Sequence, residues 1–289
     1  MIAPSELLIT PQGRIYHLNL LPEQIAEDII LVGDPGRVDM IAEYLSDIEF
    51  REVNREFVTT TGYYNERRIT VMSTGIGVGN IDIAINELDA LVNINLKTRE
   101  INEFKKSLNL VRIGTSGALH ADIPLGAYVL SKKALGMDGM LNFHYSRDAV
   151  CDLDFESEFM NYMPELQNVM HPYVVEGSGV LLDMLRSNDT TEGVTITAPG
   201  FYGCQGRVLR MDLAMPEFND KLEKFSYKGQ RITNYEMETS ALFGYSKLLG
   251  HEAMSICLAL ANRPKKEALK NYHNEMKGLI MYTLEKLTV

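Results

Sequence analysis

The sequence alternates between short runs of β-branched and aliphatic residues and longer stretches whose apolar positions recur at helical spacing. This alternation is typical of strands whose sheet is covered by the intervening helices. With 45% apolar residues in 289, one domain of this length can bury about 75% of the surface of its unfolded chain. We therefore expect a single α/β domain over residues 1–289, with a mixed central β-sheet flanked by helices.

Seven runs have the length and composition of strands. Helical spacing follows the first two runs, and a long amphipathic helix is predicted at about 265–287. The acidic and aromatic stretch 145–172 has weak periodicity, so we interpret it as an insertion or lid-like excursion. The predicted strands are 29–32, 68–73, 110–114, 127–131, 193–198, 231–235 and 253–261.

Charge and cysteine content narrow the possible partners. Lys and Arg total 28 against 39 Asp and Glu, a net charge of -11, which disfavours binding to nucleic acid or to an anionic membrane. The three cysteines are far apart, which disfavours disulfides and structural zinc, and we expect no metal site. The N-terminus has no basic and apolar leader, and no apolar run approaches membrane-spanning length, so the expected location is cytoplasmic.

Two glycine-rich turns lie between a predicted strand and a predicted helix. In the first, Gly33 and the helix start at Pro35 suit an anion, and Arg37 adds a charged group. An ordinary turn with a solvated arginine remains an alternative. The second turn, 73–80 (STGIGVGN), lacks the spacing of a dinucleotide fingerprint. Close backbone packing is its preferred interpretation.

A third motif, RIGTSG, begins at Arg112 inside a predicted strand and continues to Thr115 near the end of that strand. Ligands of open α/β sheets collect at such ends. A guanidinium flanked by Val111 and Ile113 needs an anionic partner if it is buried. The partner is either a bound anion or an internal carboxylate, and the sequence leaves both open.

Two later motifs offer groups for a heterocycle and a sugar. In FYGCQGR, Gln205 and Arg207 provide an acceptor and donors that fit the edge of a base such as uracil, although a polar surface loop would have the same composition. In NYEMETS, a carboxylate can accept two vicinal hydroxyls, as ribose recognition requires, or the acidic residues can simply cap a helix.

Taken in this order, the segments LVGDPGRV, NREF, STGIG, RIGTSGA, FYGCQGR and NYEMETSA resemble the nucleoside phosphorylase family of uridine phosphorylases and hexameric purine nucleoside phosphorylases. The resemblance implies a pentosyltransferase that needs no cofactor and uses inorganic phosphate as co-substrate. It assigns phosphate binding to one set of residues, namely Gly33, Arg37, Arg55, Arg112 and Thr115.

The same resemblance implies roles for the ribose and the base. Ribose binding is assigned to His17, Glu236, Met237 and Glu238, and base binding to Phe201, Gln205 and Arg207. Arg112, Thr115 and Arg207 are the expected catalytic residues. The sequence AlaAsnArg at 261–263 lacks the aspartate that purine phosphorylases carry there. Phosphorolysis of uridine, a step of pyrimidine salvage, is therefore expected.

The resemblance also implies assembly, because His17 and Arg55 are expected to serve the site of a neighbouring subunit. A homodimer or a trimer of dimers with shared active sites follows. The alternatives are a purine nucleoside phosphorylase, a hydrolytic nucleosidase of the same fold and a nucleoside-binding protein without catalysis.

Overall fold

A computed structural model describes residues 1–288 of the chain. The strands are β1 (Asp28–Val32), β2 (Ser46–Asn54), β3 (Phe57–Tyr64), β4 (Arg67–Ser73), β5 (Ile94–Asn95), β6 (Glu100–Ile101), β7 (Asn109–Ala118), β8 (Tyr128–Gly136), β9 (Tyr173–Glu176), β10 (Thr190–Thr197), β11 (Ser226–Tyr227), β12 (Gln230–Glu236), β13 (Glu252–Asn262) and β14 (Glu267–Ala268). The helices are α1 (Pro35–Ala42), α2 (Val78–Asn93), α3 (Leu153–Tyr162), α4 (Gly179–Leu185), α5 (Phe218–Lys224), α6 (Thr239–Leu249) and α7 (His273–Leu287).

One large mixed sheet organises the fold, in the order β11-β12-β10-β8-β13-β7-β1-β4-β3-β2. Strand β12 also pairs with β7 through Asn234 opposite Ala118, so five strands, β7, β12, β10, β8 and β13, close into a ring. Beyond this ring, the sheet continues from β7 through β1, β4 and β3 to β2. The mixed α/β class predicted from the sequence is confirmed.

The parallel strands at the centre of the sheet bring several loops to one edge. Val32 at the end of β1 lies opposite Ser73 of β4 and Ile113 of β7. Because these strands run in the same direction, the residues that follow them lie beside each other. The turns that begin at Gly33 and Thr74 therefore meet at the level of Gly114.

Two core clusters lie beneath the surface. The larger one packs the apolar strands β1, β4 and β7 against α1, α2, α6 and α7. The smaller one includes Phe155 and Phe159 of α3, together with Met163 and Leu166. The stretch 145–172 thus contributes fully buried side chains to a core cluster.

The seven predicted strands correspond to β1, β4, β7, β8, β10, β12 and β13. The hairpin β2–β3 was not predicted, since β2 is mostly exposed and carries no apolar run. The predicted helix at about 265–287 is wrong at its start, because α7 begins at His273. The residues before it form β14, which pairs back onto β13, and Lys266 has a positive φ of 55°.

Candidate active site

Arg37 is held at the end of β1 by a short turn into α1. Asp34 caps this helix by accepting from the Gly36 amide at 2.9 Å, and Pro35 occupies its first turn. The Arg37 guanidinium donates to the main-chain oxygen of Ile113 at 2.9 Å, which brings it to β7. A Cβ on Gly33 would be in ordinary van der Waals contact with Arg37 Nη2, at 3.6 Å, so the guanidinium packs directly over this turn.

Arg112 lies on β7 beside Arg37 and is only 4% exposed. Burial lowers the pKa of Arg37, and the positive charge of Arg112 lowers it further. Two neighbouring guanidinium groups repel each other unless an anion lies between them or beside them. This end of the site therefore favours an anionic ligand.

The internal carboxylate that the sequence left open as a partner of Arg112 is present. Arg112 Nη2 donates to Glu238 Oε2, and Nη1 lies 3.4 Å from Glu236 Oε2. Burial opposes the charge of Arg112, but the two glutamates outweigh it and raise its pKa. Arg112 Nε is buried and has no hydrogen-bond partner within residues 1–288. Both interpretations of this arginine are compatible with the geometry.

The Arg112 side chain occupies space that requires glycine at position 114. A Cβ there would lie 2.0 Å from Arg112 Nη1 and 2.8 Å from Cys257 Sγ. Thr115 follows on β7 and is half-buried, opposite Leu258 of β13. It lies two residues beyond Ile113, which pairs with the last residue of β1.

The two glutamates of the NYEMETS motif have different partners. Glu236 accepts at Oε2 from the amides of Glu238 and Thr239, each at 2.9 Å, and from the Thr197 hydroxyl at Oε1. It therefore caps α6 as well as facing Arg112. Met237 is half-buried between the two glutamates.

Glu238 is buried, and its two carboxylate oxygens are held from different elements. Oε1 accepts from the Gly77 amide at 2.6 Å, and Oε2 accepts from Arg112. Burial raises the pKa of Glu238, Arg112 opposes this, and the negative charge of Glu236 adds to the rise. A carboxylate has about four acceptor sites, so Glu238 can also accept from ligand hydroxyls.

Gln205 and Arg207 come together in the loop after β10. Arg207 Nη1 donates to Gln205 Oε1 at 2.6 Å and to the main-chain oxygen of Phe201 at 2.5 Å. The guanidinium of Arg207 also stacks 3.8 Å from the centroid of the Phe201 ring. Gln205 is buried and Phe201 is half-exposed. The structure thus brings these three residues together.

The sequence interpretation missed a further member of this cluster, Arg263, which it used only to note a missing aspartate. Arg263 Nη2 donates to Gln205 Oε1 at 2.9 Å, and Nη1 donates to the Gln205 main-chain oxygen at 2.6 Å. Its guanidinium lies 4.9 Å from the Tyr235 ring. Burial, and then Arg207, lower the pKa of Arg263 to about 10. Its position at the end of β13 was the available signal.

Arg55 and His17 both lie beside the Tyr16 ring. Arg55 is exposed in the β2–β3 turn at φ 55°, with its guanidinium 5.7 Å from the Tyr16 ring. His17 Nδ1 lies 2.6 Å from Glu87 Oε1, on α2.

Two further observations concern metal binding and membrane-spanning helices. Within the described part of the chain, no three His, Cys, Asp or Glu side chains are grouped to hold a metal ion. None of the helices between residues 1 and 288 is both long and apolar enough to cross a membrane.

The geometry can be compared with known proteins. The Phosphorylase superfamily matches residues 27–282. The uridine phosphorylase of Thermococcus kodakarensis is 28% identical over 260 residues, covering 89% of this chain and 81% of the relative. A DeoD-type purine nucleoside phosphorylase of Streptococcus suis is 33% identical over 160 residues, 54% of this chain and 62% of the relative. A solved structure of a Trypanosoma brucei nucleoside phosphorylase, described as having uridine phosphorylase activity, has a TM-score of 0.86 at 28% identity, covering 97% of this chain and 99% of the other.

Proposed function

The chain belongs to the Phosphorylase superfamily, and we propose that it is a nucleoside phosphorylase that splits uridine with inorganic phosphate into uracil and ribose 1-phosphate. Relatives from Thermococcus kodakarensis and Trypanosoma brucei, which are described as uridine phosphorylases, support this choice of nucleoside.

The observation that carries the proposal is that two guanidinium groups donate to the side chain of Gln205. Arg207 and Arg263 both donate to Gln205 Oε1, so the Gln205 amide nitrogen is left to donate to a ligand. A cluster dominated by donors fits the two ring carbonyl oxygens of uracil. The exocyclic amine of cytosine would instead place a donor against donors.

The same cations serve the reaction. When the C1′–N1 bond breaks, its electron pair stays on the uracil ring, and a phosphate oxygen bonds to C1′. The leaving uracil is an anion until it takes a proton from solvent. Arg207 and Arg263 stabilise this developing charge, which lowers the barrier more than it strengthens substrate binding.

Phosphate binds at the opposite end of the proposed site. Arg37 and Arg112 hold it, with Thr115 and the Gly33 turn beside them, and Glu238 accepts from the ribose hydroxyls. The close approach of the two guanidinium groups supports this assignment. Fixing phosphate next to C1′ replaces a bimolecular encounter by an oriented one. Met237 and Glu236 line the sugar, and no step requires a metal or an organic cofactor.

The site is shared between two subunits in this proposal. His17 and Arg55 both lie beside the Tyr16 ring, and the Asn54 amide links their two segments. We assign His17 to the 5′-hydroxyl and Arg55 to the phosphate of the neighbouring subunit. The smallest active unit is then a dimer, alone or within a trimer of dimers.

A purine nucleoside phosphorylase is the second candidate, because the Streptococcus suis relative bears that name. A purine leaving group needs protonation, and a guanidinium at neutral pH does not act as an acid. The neighbour of Arg263 is Asn262, whose amide donates to the main-chain oxygens of His120 and Ile123. This end of β13 therefore favours uracil.

A base-release assay on uridine, thymidine and inosine, each with and without phosphate, tests the proposal. We expect uracil release from uridine only with phosphate, together with formation of ribose 1-phosphate. Equal release without phosphate would identify a hydrolytic nucleosidase, and faster turnover of inosine would favour the purine candidate. Binding without any release would leave a nucleoside-binding protein.

A further inference from the structure

Gly77 has a backbone conformation that no other residue type adopts readily. It precedes α2 with φ 96° and ψ 160°, a region that is essentially restricted to glycine. Its amide, at the N-terminus of this 16-residue helix, donates to Glu238 Oε1 at 2.6 Å. The STGIGVGN turn thus contacts a buried carboxylate on another element.

Packing does not explain this glycine. A Cβ at position 77 would meet no atom within 4 Å, whereas a Cβ at Gly75 would lie 2.5 Å from Asn80 Nδ2. Close packing therefore accounts for Gly75, as the sequence suggested for this turn, but Gly77 is needed for its dihedral angles. Those angles aim the amide at Glu238.

We propose that Gly77 is a positioning residue, whose amide fixes the Glu238 carboxylate for the ribose hydroxyls while Arg112 holds phosphate. This inference deepens the proposed function and rests on it. Arg112 donates to the other oxygen of Glu238. Without the Gly77 amide, the carboxylate is free to turn both oxygens onto the guanidinium, as arginine–carboxylate pairs commonly do.

The charges around Glu238 explain why the hydrogen bond from the Gly77 amide is important. Arg112 faces it from β7, Glu236 faces it from β12, and the positive end of the α2 dipole faces it through Gly77. Glu236 repels the ionised form, whereas Arg112 and the Gly77 amide favour it. Weakening the Gly77 contact therefore makes Glu238 easier to protonate.

The kinetic test compares Gly77→Ala with Gly250→Ala. Gly250 also has a positive φ of 83° and open space at its Cβ, but it ends α6 away from Glu238. Gly250 is in the left-handed helical region (ψ 30°), which costs alanine less than the region of Gly77, so Gly250→Ala controls for alanine at positive φ and the Tm of each variant reports its own conformational cost. Only Gly77→Ala should lose kcat/KM for uridine, by about 10- to 100-fold, as for a lost hydrogen bond to a charged group. The acidic limb of the pH profile of kcat/KM for Gly77→Ala should also move to higher pH.

A double-mutant cycle separates positioning from a general structural effect. In a Glu238→Gln background, Gly77→Ala should cost less than about threefold, because the charge it serves is gone. Equal losses from Gly77→Ala and Gly250→Ala, or the same loss with and without Glu238, would overturn the inference.

A readout without activity covers the case in which Gly77→Ala does not fold. The protein is labelled with ¹³C at the isoleucine carbonyl and with ¹⁵N at glycine for an NMR measurement. This labelling selects the glycine amides that follow an isoleucine, which in this sequence are Gly77 and Gly114. Ile76 is 73% exposed, so Ile76→Val removes and thereby assigns the Gly77 signal. In Glu238→Gln, the Gly77 proton should shift upfield, and an unmoved signal overturns the contact. A wild-type protein that fails to split uridine instead refutes the proposed function and leaves this result intact.

Discussion

The Asn54 side-chain amide donates to the main-chain oxygen of His17 at 2.7 Å, which ties the N-terminal loop to the β2–β3 hairpin. Arg55 follows Asn54 in that turn. Two residues assigned to different ligand groups, the 5′-hydroxyl and the phosphate, are thus fixed to each other. They can reach one neighbouring site together.

Shared sites predict complementation between two inactive variants. Arg55→Ala and Glu238→Ala should each lose most uridine phosphorolysis, and mixed dimers should recover activity by rebuilding one intact site. The assay follows subunit exchange by native mass spectrometry. Arg51→Ala is the matched control, because Arg51 lies on the same hairpin in an exposed ion pair with Asp39. No recovery after confirmed exchange would contradict the shared site.

Removing the Arg112 side chain should damage turnover and stability together. Arg112→Ala takes away a charge next to phosphate, and we expect a loss of about 10²-fold or more in kcat/KM. It also leaves Glu236 and Glu238 buried without their cation, so the Tm should fall. Lys105→Ala, at an exposed position, is the control. A change below about threefold in a folded variant would remove Arg112 from the site.

Changing Gln205 should affect the base more than the phosphate. Gln205→Ala is expected to lose roughly 10- to 100-fold in kcat/KM for uridine, the scale of one or two hydrogen bonds, while the KM for phosphate stays constant. The loss includes the contacts that Gln205 gives to Arg207 and Arg263. Unchanged kinetics with uridine would show that this loop does not read the base. Gln12→Ala, exposed near the N-terminus, serves as control.

The stability of the fold should depend on pH through Asp138. Burial raises the pKa of Asp138 above its usual value, against hydrogen bonds from Ser240 and Tyr173. Its stabilising contribution is full below the unfolded pKa and is lost as pH rises through the folded pKa. The Tm of Asp138→Asn relative to wild type should therefore increase from about pH 4 to about pH 7.

Asp122 provides the opposite control for this measurement. A hydrogen bond from Arg231 lowers the pKa of Asp122, so its contribution is present at neutral pH and is lost on acidification. The relative Tm of Asp122→Asn should therefore rise, by a small amount, as the pH falls below about 4. A flat difference for Asp138→Asn would contradict the assignment of its shift to burial.

Local pattern predicted the strands that carry the site, because β1 and β4 are apolar runs followed by glycine turns and β7 begins with an apolar run. The loop clusters around Arg37, Arg112 and Gln205 could be predicted for the same reason. Arg37 and Gln205 follow the ends of β1 and β10, whereas Arg112 is a charged residue inside the otherwise apolar start of β7. The exposed strand β2 has no such signature.

Other features depend on contacts between distant segments. The contact of Gly77 with Glu238 joins positions 161 apart in the sequence, and that of Arg263 with Gln205 joins positions 58 apart. Neither partner is visible from local spacing. The predicted start of the last helix at about residue 265 was wrong for a similar reason, because the residues before α7 include β14, which forms only by pairing with β13.

The ring of five strands determines when the site can form during folding. It closes where Asn234 and Tyr235 pair with Ala118 and Gly117, more than a hundred residues earlier. Such distant pairing carries a large loop-closure entropy and is slow compared with local helix formation. Arg112 lies on β7, and Glu238 lies two residues beyond the end of β12. An intermediate with native helices but an open ring should therefore bind neither nucleoside nor phosphate.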